Sequence, residues 1–466
     1  MTKQTVDIVV RNGRIFTPTS DYLASIAVND GKIAAIGNAS SMPNADRIID
    51  AEGLAVIPGG IDAHVHIGQP WEETNRPVYY EEDVQSATKA AAVSGITTIC
   101  DMPDSMPLVT SAAVFRRKMQ YWSERAYVDF GLHGGFVPGM DFRSLIPDLW
   151  KAGPAALKTF TCFSEEIWPA MRDGELLEAL NVIHEVKGLA MIHAENDDML
   201  TQNKKHLDEA GRTDFKSHLD WRPPIVEYEA DRRVIFLLRE TRARGMLVHT
   251  SMPEGVEEVI KARQSGQEVY VETAPHYLYL EDSDVEKRGP WVKCSPPLRD
   301  KARVLRMRRL LAEGHIDTVG SDHSPFSKEE VDAAMDNMWK AEAGMPALET
   351  MLPLLINGVN EGWISLNRVV ACLCENPARI YGLYPNKGVI LVGSDADIAI
   401  IDMKKKRRIR NEDLEMKCKW TPYENFTLQG TTIATIVRGK IVVENSEVVG
   451  NEGDGVFAPR MRDTQY

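Results

Sequence analysis

The chain opens in short apolar runs separated by turn residues: Asp7-Ile8-Val9-Val10, Arg14-Ile15-Phe16, Ala24-Ser25-Ile26-Ala27-Val28 and Lys32-Ile33-Ala34-Ala35-Ile36-Gly37. Asn12-Gly13 and Asp30-Gly31 lie between them, and because both pairs tolerate positive φ the pattern predicts β-hairpins. The same texture returns at 396–402 and 433–443. A small β-sandwich is therefore expected from residues 1–57 and 386–466, with one continuous module, 58–385, between its halves. In that module short apolar runs alternate with stretches of helix length. Strands are predicted at 63–67, 97–102, 128–133, 155–160, 189–193, 246–250, 269–273 and 318–322. Helices are predicted between them, at 81–94, 111–121, 175–186, 228–244, 255–264 and 301–313. Eight strands alternating with helices make an α/β fold, and a (β/α)8 TIM barrel is the economical closure, with chemistry at the carboxyl ends of the strands.

Composition narrows the partners. Of 466 residues 43% are hydrophobic, enough for a large core. The formal net charge of −14, from 68 acidic and 54 basic residues, argues against a phosphate-tracking surface. A small neutral ligand is expected, and no nucleic acid. Cys100, Cys162, Cys294, Cys372, Cys374 and Cys418 show neither a disulfide framework nor a Cys-x-x-Cys pair, as expected of reduced thiols in the cytoplasm. Residues 1–7 lack a basic-then-apolar signal and no apolar run is long enough to span a bilayer, so no membrane partner is expected.

The candidate chemistry begins at His64-Val65-His66, because alternation on a strand turns both imidazoles the same way. His64 and His66 fall on the first predicted strand, Lys158 on the fourth, His193 on the fifth, His249 on the sixth and Asp322 on the eighth, all toward their carboxyl ends. His184, His206, His218 and His315 fall in helical or loop stretches, whereas His133, His276 and His323 lie near strand ends and are read as supports rather than ligands. Four histidines and an aspartate exceed the needs of one tetrahedral ion and suit two divalent metals, Zn²⁺ or a neighbour such as Mn, Co or Ni. An ammonium group repels metal, so Lys158 has three roles open: anchoring a substrate anion, pairing with a carboxylate, or reacting with CO2 to form an N-carboxylated lysine. Spacing alone favours the ion pair.

Seven segments together resemble the cyclic amidohydrolases, the hydantoinase, dihydropyrimidinase, allantoinase and dihydroorotase group. They are Pro58 to His66, Gly95 to Pro103, Lys158-Thr159-Phe160, Ile192-His193-Ala194-Glu195, Val248-His249-Thr250-Ser251, Ser295 to Arg299 and Gly320-Ser321-Asp322-His323. Val392 to Asp397 and Val437-Arg438-Gly439 extend the likeness into the tail. The resemblance implies a binuclear site, with His64, His66 and Asp322 on one ion and His193 and His249 on the other. Carboxylated Lys158 and a hydroxide would lie between the ions. It also implies that the hydroxide opens a cyclic amide while Asp322 carries the proton to the departing ring nitrogen. Ser295, Gly344 and Met345 resemble the family's substrate-amide contacts, although Ser295 is equally suited to a turn before Pro296-Pro297. A homodimer or homotetramer is implied as well.

Departures from the family bear on the substrate. Dihydroorotases place an arginine two residues after the second histidine, where this chain has Gly68. D-selective hydantoinases carry a tyrosine five residues after the carboxylated lysine, where this chain has Phe163. With Trp71 and Trp168, Phe163 is expected to line an apolar pocket for a ring substituent. The segments 134–139 and 345–350 resemble L-type hydantoinases and allantoinases. A hydantoinase-like activity is expected, with an allantoinase, dihydropyrimidinase or imide hydrolase as the alternative. A non-catalytic assembly protein predicts lost ligands, and a mononuclear deaminase needs no lysine on the fourth strand.

Overall fold

The computed structural model describes residues 5–68, 80–104, 107–163 and 168–461. Strand Ala55–Pro58 is the junction of the molecule. It pairs in parallel with Val6–Phe16 and antiparallel with Ile398–Arg408, so the two ends of the chain meet across it. Asp21–Asn29 and Lys32–Gly37 extend the sheet on one side, and Thr427–Val437, Lys440–Glu444 and Glu447–Val448 on the other. Ala45–Asp50 adds to Val6–Phe16 and completes nine strands. Alternating side chains from both arms, among them Ile8, Val10, Ile26, Val28, Ile398, Ile400 and Ile436, share one buried aliphatic cluster.

Asp30-Gly31 makes the expected turn, with φ of 51° and 75°. Asn12-Gly13 does not: Val6–Phe16 runs straight through it, with a register shift between Val10 and Gly13. Asn12 takes φ 59°, and a Cβ on Gly13 would stand 2.4 Å from Val56 Cγ2. The pair therefore serves a bulge that lets this strand pass close to the junction strand, not a reversal.

Gly59 leads from the sheet into the barrel, pressed so close that a Cβ there would lie 2.1 Å from Thr97 Oγ1. The barrel strands are, in order, Gly60–Val65, Ile96–Asp101, Asp129–Leu132 continued by Gly134–Gly135, Leu157–Phe160, Leu189–His193, Arg244–Leu247, Val269–Thr273 and Thr318–Val319. Neighbours pair in parallel throughout. The third strand breaks at His133, one part pairing with the second strand and the other with the fourth. A parallel bridge between Val65 and His323, with a 2.8 Å hydrogen bond from His66 N–H to His323 O, joins the eighth strand to the first.

Two strands end three residues earlier than the apolar pattern predicts. The sixth stops at Leu247 and the eighth at Val319, because His249 (φ 37°) and Asp322 (φ 52°) adopt left-handed backbone that a ladder cannot continue. The helices are punctuated as their caps dictate: Asp83 and Ser86 form a capping box ahead of Val84–Ser94, which ends at left-handed Gly95. Lys301–Glu313 is capped by Asp300 and stopped by Gly314. A buried ion cluster pins barrel to sheet, with Lys387 2.6 Å from Asp129 on the third barrel strand and 2.7 Å from Asp397. No described helix is long and apolar enough to cross a membrane, and all six cysteines are buried and unpaired.

Candidate metal centre

His64, His66, Lys158, His193, His249 and Asp322 converge at the carboxyl end of the barrel. Ligand atoms of His64, His66 and Asp322 lie within 4.8 Å of one another. Asp322 Oδ1 is 3.3 Å from His64 Nε2 and 3.4 Å from His66 Nε2. Across the pocket, His193 Nδ1 and His249 Nε2 are 3.0 Å apart. Lys158 is buried, and its Nζ has no hydrogen-bond partner while lying 4.7 Å from the centroid of the Phe160 ring. His66, Lys158, His193, His249 and Asp322 line one cavity with Tyr80, Phe160, Trp168 and Ser295.

The outward nitrogens of three histidines are taken by carboxylates, two of them buried and that of Asp104 partly so. Glu272 Oε1 lies 2.6 Å from His64 Nδ1, Asp104 Oδ2 lies 2.6 Å from His66 Nδ1, and Glu195 Oε2 lies 2.8 Å from His193 Nε2. Each such pair fixes a ring's orientation and leaves its other nitrogen toward the pocket, the arrangement that metal-ligating histidines need. Glu272 also accepts the His249 backbone N–H at 3.4 Å. Glu195 is held in turn by Arg222, and Arg299 donates to the Arg222 carbonyl at 2.7 Å. The inward His64 Nε2 and Lys158 Nζ are buried without hydrogen-bond partners, a state that costs free energy unless something binds there, so the donor set fits divalent ions.

Electrostatics agree with the geometry at three of the four histidines. Burial, together with the Lys158 charge, holds His64, His193 and His249 below the usual histidine range, which keeps them neutral and able to ligate. Burial opposes charge on His66 as well, but Asp104 and Asp322 outweigh it and raise that ring to about 10. Burial pulls Lys158 down to about 8 against the carboxylates of Asp322, Glu272 and Asp104.

The expected substrate contacts divide. Ser295 lines the cavity, and its buried Oγ has no hydrogen-bond partner. Gly344 N–H is used by Lys293 O and Met345 O by Ser324 N–H, and the adjoining Ala343 is the residue that reaches the cavity wall. Phe163 is not part of the wall among the described residues. It is 53% exposed, and Asp197 accepts its backbone N–H at 2.8 Å, so an apolar-pocket role for its ring is not what its position provides. Trp168 does line the cavity, and Trp71 lies outside the described residues.

Glu272, Asp104, Glu195 and Arg222 were not foreseen as supports. Glu272 carried a signal, an acid inside the apolar strand Val269–Thr273, and Glu195 another, since it follows His193 by two residues. His133 Nε2 lies 2.9 Å from Ala63 O, and His323 Nδ1 accepts Ala347 N–H at 3.2 Å. Both His276 nitrogens are buried without hydrogen-bond partners, and its ring meets Tyr277 edge to face.

A closed parallel barrel with buried histidines, an aspartate and a lysine at its carboxyl end defines a metal-centre barrel of the hydrolase type. The amidohydrolase family model matches residues 55–442, and the chain belongs to that family. It is 37% identical to an L-hydantoinase of Paenarthrobacter aurescens, covering 97% of this chain and 98% of that one. It is 32% identical to an allantoinase of Bacillus licheniformis, over 97% and 99% of the two chains. The solved structure of an L-hydantoinase (dihydropyrimidinase) from Arthrobacter aurescens superposes with a TM-score of 0.92 at 35% identity, covering 98% of this chain and 100% of that one.

Proposed function

We propose that this chain hydrolyses a neutral cyclic amide of the hydantoin type, opening the ring, with two divalent metal ions, zinc first among Mn, Co and Ni. The observation that carries the reading is the convergence of two histidine pairs, Asp322 and an unpartnered buried Lys158 Nζ in one pocket. His64 and His66 Nε2 with Asp322 would hold one ion, and His193 Nδ1 with His249 Nε2 the other. Lys158, by adding CO2 at Nζ with loss of a proton, would present a carboxylate to both. Bound there, the metals supply a water of lowered pKa and a Lewis acid for the amide carbonyl.

The chain's own groups account for the rest. Asp322 Oδ1, between His64 and His66, is placed to accept the proton of the attacking water and return it to the ring nitrogen as the C–N bond breaks. Ser295 Oγ, with hydrogen-bonding capacity unused, would orient the substrate amide, and Trp168 and Phe160 would cover the ring. Gly344 and Met345 would contribute through the backbone that presents Ala343. Gly68, where dihydroorotases carry an arginine, offers no cation for a carboxylate and supports a neutral substrate.

The test is ring opening by the metal-loaded protein of hydantoin, 5-substituted hydantoins, dihydrouracil, allantoin and simple imides. Turnover of hydantoins first is expected, preference for allantoin would move the assignment to an allantoinase, and no turnover of any would overturn it. Metal analysis is expected to give about two ions per chain. One would favour a deaminase-like centre and none a non-catalytic assembly protein. Lys158→Ala is expected to lose metal and activity together, and full retention of both would sink the shared carboxylate. A cytoplasmic homodimer or homotetramer accompanies the proposal. Six buried unpaired cysteines support the reducing compartment, and light scattering tests the assembly.

A further inference from the structure

A second cavity, of about 650 Å³, lies at the opposite end of the barrel from the metal centre. Its wall includes Leu189, Arg244 and Tyr270, at or beside the starts of the fifth, sixth and seventh strands, whose far ends lead to His193, His249 and Glu272. In a chain of net charge −14 this lining is cationic, with Lys187, Arg242, Arg244, Arg379 and Arg460 set against Glu268 and Asp317. Arg244 pairs with Glu268 at 2.7 Å, Arg379 with Glu375 at 2.8 Å, and Asp317 is already held by Arg263. The side chains of Lys187 and Arg242 make no hydrogen bond or ion pair among the described residues, although both line the cavity.

Their backbone is the second observation. Lys187 follows helix Asp173–Glu185 with φ 54°, and Arg242 follows helix Pro224–Thr241 with φ 57°. Glycine is the usual occupant of such left-handed ends, because a Cβ is disfavoured there. A cation at a helix carboxyl end is favoured by the helix dipole, but that does not require it to share a cavity with its counterpart on the next connection. Aromatic faces supply the third observation. The Arg460 guanidinium lies 3.7 Å from the centroid of Trp150, that of Arg379 lies 3.6 Å from Tyr384, and Tyr270 stands in the same wall. Stacked arginines and aromatics recognise planar rings, and neighbouring lysine and arginine recognise phosphate.

We propose that this cavity binds a nucleoside phosphate, its phosphates on Lys187 and Arg242 and its base against the arginine–aromatic stacks. Calorimetric titration of the full metal-loaded protein with magnesium-saturated ATP tests this, with tripolyphosphate and adenosine as partial ligands. ATP is expected to saturate at about one per chain, at least about tenfold more tightly than either partial ligand, and to weaken as salt is raised. In K187E/R242E, both exposed positions remote from the metal centre, ATP affinity is expected to fall about 100-fold while ring-opening activity is unchanged. K187A/R242A, carried alongside, keeps the test decisive should charge reversal disturb folding. No ATP binding, undiminished binding in both variants, or tripolyphosphate binding as tightly as ATP would each overturn the proposal.

Discussion

Glu195→Gln separates the metal centre from the scaffold that orients it. Two donors converge on Glu195 Oε2, His193 Nε2 at 2.8 Å and Arg222 Nη1, and all three side chains are buried. Arg222 holds this carboxyl down to about 2 against the opposing effect of burial, so it is ionised at any pH of interest. Glutamine keeps the shape but has only one acceptor oxygen and no charge. With its carbonyl oxygen in the Oε2 position it still accepts from both donors, its NH2 group taking the buried Oε1 position that has no partner, so the charge is what is lost. Breaking a buried pair from one side costs about 3–5 kcal/mol, because the remaining charge is left uncompensated. Independently, losing a carboxylate behind a ligating histidine costs about 10- to 100-fold in metal affinity, or about 1.4–2.7 kcal/mol.

The two effects have different readouts. Urea denaturation of the metal-free protein reports the loss of the ion pair. Metal retained against increasing chelator reports affinity, and here the change is expected in one of the two ions, since His64 and His66 rest on Glu272 and Asp104 instead. Glu209→Gln, on an exposed helix end, controls for the loss of a charge. A folded Glu195→Gln protein that holds both ions as tightly as the parent would refute the claim that Glu195 sets the orientation of His193.

Lys387→Met leaves Asp397 buried without its cation while Asp129 keeps Arg438 at 3.0 Å, and a loss of about 3–5 kcal/mol in urea denaturation is expected; less than about 1 kcal/mol would show that the cluster does not fasten barrel to sheet. Glu349 is raised to about 7 by burial, so the folded protein binds its proton more tightly than the unfolded chain does and stability falls as pH rises from about 4.5 to 7. Glu349→Gln is expected to remove up to on the order of 3 kcal/mol of that fall, measured as the difference in unfolding free energy between pH 5 and pH 8, and an unchanged difference would exclude Glu349 as its source. Gly320→Ala places a Cβ 2.8 Å from His64 Cβ and 2.9 Å from the Glu272 carboxyl, so a fold that survives it is expected to bind metal less tightly, and normal retention against chelator would contradict the close packing.

The ligands were legible because each lies at or just beyond the end of an apolar run, and strand alternation turns His64 and His66 to one side. The seventh strand was predicted with the bounds it has, Val269–Thr273, yet the role of Glu272 within it was not, because a carboxylate inside a strand does not announce which neighbouring strand it serves. His64 is 208 positions away from it. Asp104 and Arg222 were hidden for the same reason: their partners are close in space and remote in sequence. Asn12-Gly13 was misread because positive φ serves a bulge as readily as a turn, and only the pressure of Val56 on Gly13 decides between them.

The sixth and eighth strand ends fell furthest short of prediction, each by three residues. His249 and Asp322 hold left-handed backbone, at a cost of about 1–3 kcal/mol each that a glycine would escape. Such strain persists only where surrounding contacts over-determine it. Around Asp322 these are the flanking bonds of Ser321 N–H to Asp62 Oδ1 at 3.0 Å and of His66 N–H to His323 O at 2.8 Å, which tie the eighth strand end to the first. Around His249 the matching contact is Glu272, whose one oxygen receives both His64 Nδ1 and the His249 backbone N–H. A single carboxylate thus holds the ring of one member of the first histidine pair and the backbone of one member of the second, so the spacing between the two halves of the centre depends on the seventh strand, which contributes none of the proposed metal ligands.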